Sequence, residues 1–385
     1  LSGLMLGSTA AWADDKSDRR GLKVTDTSQA EQSEELFREA EAARLESIDR
    51  LKQLIADTNP QGETKAEMLL RLADLYFEEG RALYLREMAD YDKRSDQCFN
   101  TPGCPMDSIV ADHTASKEWQ DRSIKLYKQI LAAYPTYSRA DDAIFYLGQA
   151  LNDIGEADQA AEAFKKLVSS YTESEHVADA YVLIGEYWFE KNEAFKALQA
   201  YQRATAYKES DKYNFALYKL AWCYYNVSEY DKAIETMKQV VSNSMTTTTT
   251  GTQAKNTVQL QEEALKDLVR FYADAGDLNE AIEYFRKLGK ADLVRDVIKR
   301  LASTYMEQGK FDAAITTYRR LIAEDPQGPY APDYQNEIIS AYTKMGNKQE
   351  TVNAIETLLK TYGKNSAWAK ANASNQDAVK QANEF

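Results

Sequence analysis

The chain of 385 residues is poor in the residues that make turns, because it contains only 16 Gly and 7 Pro. An all-β protein needs a turn about every ten residues, so this scarcity excludes it and favours a largely helical chain. Positive charge is also in deficit: 47 Lys and Arg face 61 Asp and Glu, for a net charge of −14. Such a chain repels phosphate backbones and is not attracted to an anionic membrane surface, so nucleic acid is not expected as a partner.

Histidine is nearly absent, and the two that occur, His113 and His176, lie far apart in the sequence. Neither has metal-ligand spacing to Cys, Asp or Glu, and both are expected to be solvated. The sequence contains no Gly-rich phosphate loop, nucleophile elbow or zincin motif. We therefore predict no catalytic residues, no metal and no cofactor, and we do not expect an enzyme.

An uncharged and largely apolar stretch, "LSGLMLGSTAAWA", occupies residues 1–13 and ends in Ala11-Trp12-Ala13. Small residues at −3 and −1 after an apolar run are typical of a secretory cleavage site, the alternative being a frayed hydrophobic terminus. The start Met and basic n-region are missing, which indicates a truncated signal peptide. No later apolar run approaches the roughly 20 residues of a membrane helix. We expect an exported, soluble protein with a flexible segment at 14–30.

There are three cysteines in the sequence. Cys98 and Cys104 flank a turn-rich stretch, and in an oxidising compartment this spacing favours a local disulfide over two free surface thiols. Cys223 has no partner nearby in sequence. It falls beside a small-residue position of a predicted helix, where we expect a buried and inert thiol.

A pattern of small and large residues recurs along the chain. Its eighth position falls at 148, 185, 221, 269, 302 and 339, in steps of 37, 36, 48, 33 and 37 residues. Small residues at positions 8 and 20 allow two antiparallel helices to approach closely, and large residues at positions 11 and 24 fill the space between them. One such hairpin cannot bury both of its faces, so neighbouring hairpins are expected to stack.

This pattern resembles the tetratricopeptide repeat family, with five good copies and one weak copy over roughly residues 45–360. The junctions at 134–148 and 171–185 are similar to those of bacterial envelope members, of the outer-membrane assembly and Tol–Pal-associated kinds. The resemblance implies an all-α superhelical solenoid of stacked antiparallel helix hairpins. It also implies a protein that binds other proteins and catalyses nothing.

The departures from the pattern divide the chain into segments. A capping helix is predicted at 31–62, and a first repeat at 63–137 carries an insertion at 81–115 that holds the cysteine loop. About six repeats follow over 138–363, with a polar Thr-rich loop at 242–256. Residues 364–385 are predicted to start a further helix that is cut short by truncation.

The resemblance further implies a groove lined by the first helix of each repeat, near positions 2, 5, 9 and 12. Large aromatics on such a wall suit burial of a partner's side chains, although packing between helices could also cover them. Lys266 and Arg270, one helical turn apart, could hold a carboxylate. The predicted protein-binding residues are Phe145, Gln149, Asn152, Phe189, Tyr218, Trp222, Tyr225, Lys266, Arg270 and Lys299.

We expect a periplasmic scaffold or adaptor of a Gram-negative cell that binds a segment of another envelope protein in this groove. Two alternatives stay open: a self-assembling structural component of an envelope or motility complex, and a regulator of cell-wall enzymes. The oligomeric state and the identity of the partner are not predicted.

Overall fold

The computed structural model describes residues 27–246, 252–275, 277–288 and 291–385, and these ranges contain helices and no strand. The predicted all-α fold of stacked hairpins is confirmed. The predicted signal peptide and residues 14–26 of the predicted flexible segment lie outside the described residues. The chain forms two compact units, unit 1 ending at Tyr213 and unit 2 beginning at Asn214.

Unit 1 consists of a leading helix followed by three antiparallel hairpins. The leading helix α1 packs on α2, and the hairpins pair α2 with α3, α4 with α5, and α6 with α7. The helices are α1 Thr27–Thr58, α2 Gly62–Phe99, α3 Thr114–Ala133, α4 Ala140–Asp153, α5 Ala157–Ser170, α6 Val177–Glu190 and α7 Ala194–Ala204.

The small residues at position 8 set how closely the two helices of a hairpin approach. A Cβ atom placed on Gly185 in α6 would lie 2.6 Å from the ring of Tyr201 in α7. Tyr201 is fully buried there. The predicted close approach at position 8 therefore depends on the absence of a side chain.

The predicted insertion is formed by an extension of α2. The whole helix has 38 residues and ends at Phe99. The chain then returns through a loop that is closed by the predicted disulfide between Cys98 and Cys104. The returning segment is held by the carboxylate of Glu87, which accepts hydrogen bonds from the backbone N–H of Ser116 at 3.0 Å and from its hydroxyl at 2.6 Å.

Unit 2 continues the same alternation of first and second helices. The helices are α8 Tyr213–Asn226, α9 Tyr230–Thr246, α10 Thr252–Ala275, α11 Leu278–Lys287, α12 Ala291–Glu307, α13 Phe311–Glu324, α14 Ala331–Lys344, α15 Lys348–Tyr362, α16 Ala367–Ala371 and α17 Gln376–Glu384. First helices pack side by side, as α10 does on α12, and each second helix packs on the first helix that follows it, as α13 does on α14.

The Thr-rich segment is shorter as a connection than the predicted 242–256. Helix α9 continues to Thr246 and α10 begins at Thr252, so the flanks of the predicted loop are helical, and residues 247–251 lie outside the described ones. The apolar face of α9 extends into this stretch because Val240, Val241 and Ser244 are all buried. Burial therefore prolongs a helix whose composition alone indicates a loop.

Residues 364–385 form two short helices instead of the single helix predicted to start there. Asn375 begins the second of them, since its side-chain oxygen accepts a hydrogen bond from the N–H of Ala378 at 3.2 Å. Trp368 in α16 is buried and donates its indole N–H to the carbonyl of Gly328 at 2.8 Å. Among the described helices, none is long and apolar enough to cross a bilayer.

Candidate functional site

Three predicted aromatic residues lie on α8 of unit 2 and face α10. The hydroxyl of Tyr218 and the indole N–H of Trp222 both donate to the carboxylate of Asp267, at 2.6 and 3.0 Å. The hydroxyl of Tyr225 donates to Asp274. All three aromatic side chains are half-buried. The packing of one first helix on the next therefore accounts for much of the aromatic surface.

The rings of α8 rest on a single buried residue of α10. Phe271 stacks against Tyr225 with a centroid distance of 4.6 Å and an interplanar angle of 12°. It also meets the edge of Trp222 at 5.1 Å. We call this cluster of Tyr218, Trp222, Tyr225 and the fully buried Phe271 the aromatic shelf. Its outer side is the exposed part of the Tyr218, Trp222 and Tyr225 rings, which a partner could contact.

A guanidinium group lies over the shelf. The Arg270 side chain is 5.4 Å from the ring centroid of Trp222 and 5.6 Å from that of Tyr225. Lys266 lies one turn earlier on α10, and Lys299 occupies the equivalent position on α12, which packs beside α10. All three cations are exposed. Within the described residues, none of them forms an ion pair at contact distance, although Asp267 acts on Arg270 and Asp333 on Lys299 through longer-range electrostatics.

The carboxylate under the shelf is poorly solvated. Burial raises the pKa of Asp267, and the hydrogen bonds from Tyr218 and Trp222 act in the opposite direction. Burial likewise raises the pKa of the Tyr218 hydroxyl, with the charge of Asp267 adding to the effect. Both groups are therefore held as a fixed donor–acceptor pair that orients the rings.

The predicted protein-binding residues of unit 1 differ from one another in how much of their surface is exposed. Phe145 is only 4% exposed, and its ring stacks on that of His176 with a centroid distance of 4.2 Å. Gln149 and Phe189 are half-buried, and Asn152 is exposed. Phe145 thus has little surface to offer a partner. The residues with accessible surface are concentrated in unit 2, and that they bind a partner stays a prediction.

A ladder of polar contacts between repeats was missed at the sequence level. Arg139, which precedes α4, pairs with Glu67 of α2 at 2.8 Å. His176, which precedes α6, contacts the carboxylate of Asp142 in α4 at 2.9 Å. Both contacts join the residue before one first helix to position 2 of the previous one. The repeat alignment places these positions in register, and the alternation of basic and acidic residues there was the available signal.

The expectation that His176 is solvated is wrong, because the ladder places its side chain at 14% exposure. The hydrogen bond between His176 and Asp142 is the main cause of the lowered pKa of Asp142. A carboxylate oxygen of Glu175 also lies within 4.8 Å of these groups. However, Arg139 contacts the second oxygen of Asp142 at 2.6 Å, so this carboxylate is already neutralised by a cation. The cluster therefore serves as a contact between α4 and the start of α6.

Models of the tetratricopeptide repeat match residues 142–174, 215–244 and 272–336. The chain carries tetratricopeptide repeats. These matches cover most of the hairpins of α4–α5 and α8–α9 and the stretch from the end of α10 to the first part of α14. The match to 215–244 includes Tyr218, Trp222 and Tyr225 of the aromatic shelf. The repeat fold is typical of proteins that bind other proteins and do not catalyse reactions.

Several solved structures are similar to part of this chain. They include MamA, with 26% identity over 52% of this chain and 96% of that chain and a TM-score of 0.33. YrrB, a TPR protein with an unusual peptide-binding site, has 15% identity over 52% and 92% and a TM-score of 0.35. MamA from residue 41 onward of Desulfovibrio magneticus RS-1 has 16% identity over 55% and 96% and a TM-score of 0.33. No curated protein matches the chain.

The cysteines of the repeat protein behave as expected. The predicted disulfide between Cys98 and Cys104 is present, with the two Cα atoms 5.3 Å apart. Cys223 is a free thiol with no exposed surface. Burial raises its pKa to about 12, so it is neutral and unreactive in the folded protein.

Proposed function

We propose that the chain is a non-enzymatic scaffold that binds a protein segment on the first-helix face of unit 2, defined as the aromatic shelf with Lys266, Arg270 and Lys299. The observation that carries this proposal is the set of three exposed cations without an ion pair beside half-buried rings. An acidic protein with a net charge of −14 has abundant carboxylates, so unpaired cations at one place favour an anionic ligand.

The chemistry of the ligand follows from the arrangement. A segment with two or more carboxylates could pair with Lys266, Arg270 and Lys299 across α10 and α12. An apolar or aromatic side chain between these carboxylates would rest on the outer side of Trp222 and Tyr225. Rings with a polar edge and a fixed orientation are well suited to such a contact, because little side-chain entropy is lost on binding.

We place this scaffold in the periplasm of a Gram-negative cell, with a segment of another envelope protein as its partner. The disulfide between Cys98 and Cys104 supports an oxidising compartment, since such bonds are rare in reducing ones. The apolar run of residues 1–13 is compatible with export. Both features favour the envelope location over a cytoplasmic one.

The test compares captured proteins between charge-reversed variants. Lys266→Glu with Arg270→Glu should abolish capture of the partner from a periplasmic extract. The matched control, Lys232→Glu with Lys287→Glu, makes the same change of net charge on the second helices α9 and α11. Substitution of Trp222 or Tyr218 is a poorer test, since both side chains also support the packing of α8 on α10.

Direct binding completes the test. The captured protein is identified by mass spectrometry, and its acidic segment is titrated against the purified chain. We expect affinity to fall about 100-fold in the Lys266 and Arg270 variant, and to fall in wild type as salt is raised. An affinity equal to that of wild type in this variant would show that the segment binds elsewhere.

A further inference from the structure

The last long helix of unit 2 carries an exposed apolar face, which none of the described residues covers. Val352, Ile355 and Leu359 on α15 are 49%, 40% and 65% exposed. They are spaced by three and four residues, so they form one stripe along the helix. Three exposed aliphatic residues in line on a regular helix are unusual for a solvated surface.

The preceding repeat shows what covers the equivalent residues there. One step of 37 residues earlier, the equivalent positions on α13 are Ile315, Tyr318 and Ile322. Ile315 and Tyr318 are 3% and 1% exposed, because α13 is packed both on α12 of its own hairpin and on the following first helix α14. Tyr318, for example, stacks on Tyr334 of α14 with a centroid distance of 6.0 Å. The stripe on α15 is therefore a seat for a first helix.

Within residues 291–385, no helix of full length takes this seat. Helix α16 has only five residues, and α17 packs near Trp368 of α16 and near Leu358 and Tyr362, which are not part of the exposed stripe of α15. The seat requires a helix whose contacting side chains are small or apolar, since the second helix of a repeat approaches its neighbour closely.

The chain itself presents such a helix. One face of α1 carries five exposed residues that are separated by three, four or seven positions and so form a stripe along the helix. They are Leu36, Ala40, Ala43, Ser47 and Leu54. A different side of α1 faces α2, where Ile48 is buried with Leu72 and Leu75. The outward stripe of α1 therefore has small side chains in its middle and leucines at its ends. Side chains of these sizes suit the close packing expected of a first helix.

The charges beside the two stripes differ in their prevailing sign. On α1, Glu35, Glu39 and Glu46 lie along one edge of the stripe and are exposed, and Glu46 pairs with Arg50 on the same edge. On α15, Lys348 continues the stripe at its amino end and Glu356 lies beside it, while Lys344 at the end of α14 and Lys364 after α15 add positive charge, all exposed. Opposite charges around two apolar stripes favour their association over the pairing of either stripe with itself.

We propose that the α15 stripe of one copy of this chain binds the outward stripe of α1 of a second copy. The contact is head to tail, so each copy keeps one stripe free after pairing and association can continue through further copies. The surface is separate from the first-helix face of unit 2, and the inference does not depend on the proposed function.

The test uses two full-length variants that block one stripe each. The α15 variant carries Ile355→Glu and Leu359→Glu, and the α1 variant carries Leu36→Glu and Ala43→Glu. The controls, Thr357→Glu with Thr361→Glu on α15 and Ala42→Glu with Gln53→Glu on α1, place the same added charge on exposed positions outside the stripes of the same helices. Sedimentation is measured over a series of concentrations, and circular dichroism verifies that every variant is folded.

We expect wild type and both controls to associate as concentration rises, and each blocked variant to associate about 100-fold more weakly. Mixing the two blocked variants should restore a complex of two chains and no larger one, because only one intact pair of stripes remains. A monomeric wild type at every concentration would overturn the proposal. So would a mixture of blocked variants that stays monomeric while wild type associates, since that result indicates a different interface.

Discussion

The indole N–H of Trp222 donates to the carboxylate of Asp267 across 45 residues of sequence, at a distance of 3.0 Å. This contact joins two neighbouring repeats through their first helices. It also turns the outer side of the indole toward the cations of α10, where Arg270 lies over the ring. The same bond therefore supports the packing of unit 2 and prepares the surface proposed to bind a partner.

Removal of this acceptor should destabilise unit 2. In Asp267→Ala the Tyr218 hydroxyl and the Trp222 indole both lose their partner while half-buried, which should cost about 2–3 kcal/mol in the free energy of unfolding. Asp267→Asn retains one acceptor oxygen and should cost less. Urea unfolding followed by tryptophan fluorescence measures both. An Asp267→Ala variant as stable as wild type would show that the rings are held by packing alone.

The stability of unit 1 should depend on pH through Asp74. Burial raises its pKa from 3.8 to about 6, although the Tyr127 hydroxyl donates to it at 2.8 Å. The folded state therefore holds this proton more tightly than the unfolded chain. The resulting stabilisation is fully present below about pH 4 and is lost as pH rises through 6.

The variant Asp74→Asn, which has no proton to lose, isolates this effect. It should be roughly 2–3 kcal/mol more stable than wild type at pH 7 and about equally stable at pH 4. Denaturant unfolding at the two pH values measures the difference. If the gap between variant and wild type is the same at both, the carboxylate does not carry the dependence.

Gly185 should not tolerate a side chain. In most helices Gly→Ala is stabilising by up to about 1 kcal/mol, but here the new Cβ would lie 2.6 Å from the Tyr201 ring. We expect a net loss of about 1–3 kcal/mol. The loss should shrink when Gly185→Ala is compared in a Tyr201→Leu background, where there is no ring to displace. Equal losses in both backgrounds would assign the cost to the helix itself.

The hairpin stack follows from sequence because its signals are local. Gly185 and Tyr201 are 16 residues apart, and their sizes already indicate the close approach. The ladder was not predicted, because the contact of Arg139 with Glu67 spans 72 residues and requires the exact rotation of one hairpin on the next. The same rotation decides which residues of a first helix face a groove. It buries Phe145 and leaves Lys266 exposed, although both occupy position 5.

The number of thiols that can be alkylated should rise in defined steps on unfolding and on reduction. Native protein should expose no reactive thiol, because Cys223 is buried and the other two cysteines are bonded. Unfolding without a reductant should release one thiol per chain, and unfolding with a reductant should release three. Mass spectrometry after alkylation counts them. Three thiols released without a reductant would contradict the disulfide and remove its support for an oxidising compartment.

The central claim is that a partner segment lies on the first-helix face of unit 2, and photo-crosslinking in the native cell tests it most directly. A benzophenone amino acid is placed at position 263 on α10 or 296 on α12, in place of Glu263 or Asp296, so that all three cations of that face remain, or at position 287 on the second helix α11. We predict one discrete crosslinked product from positions 263 and 296 that disappears when Arg270→Glu is added, and none from position 287. No product from the face positions, or equal products from all three, would contradict the account.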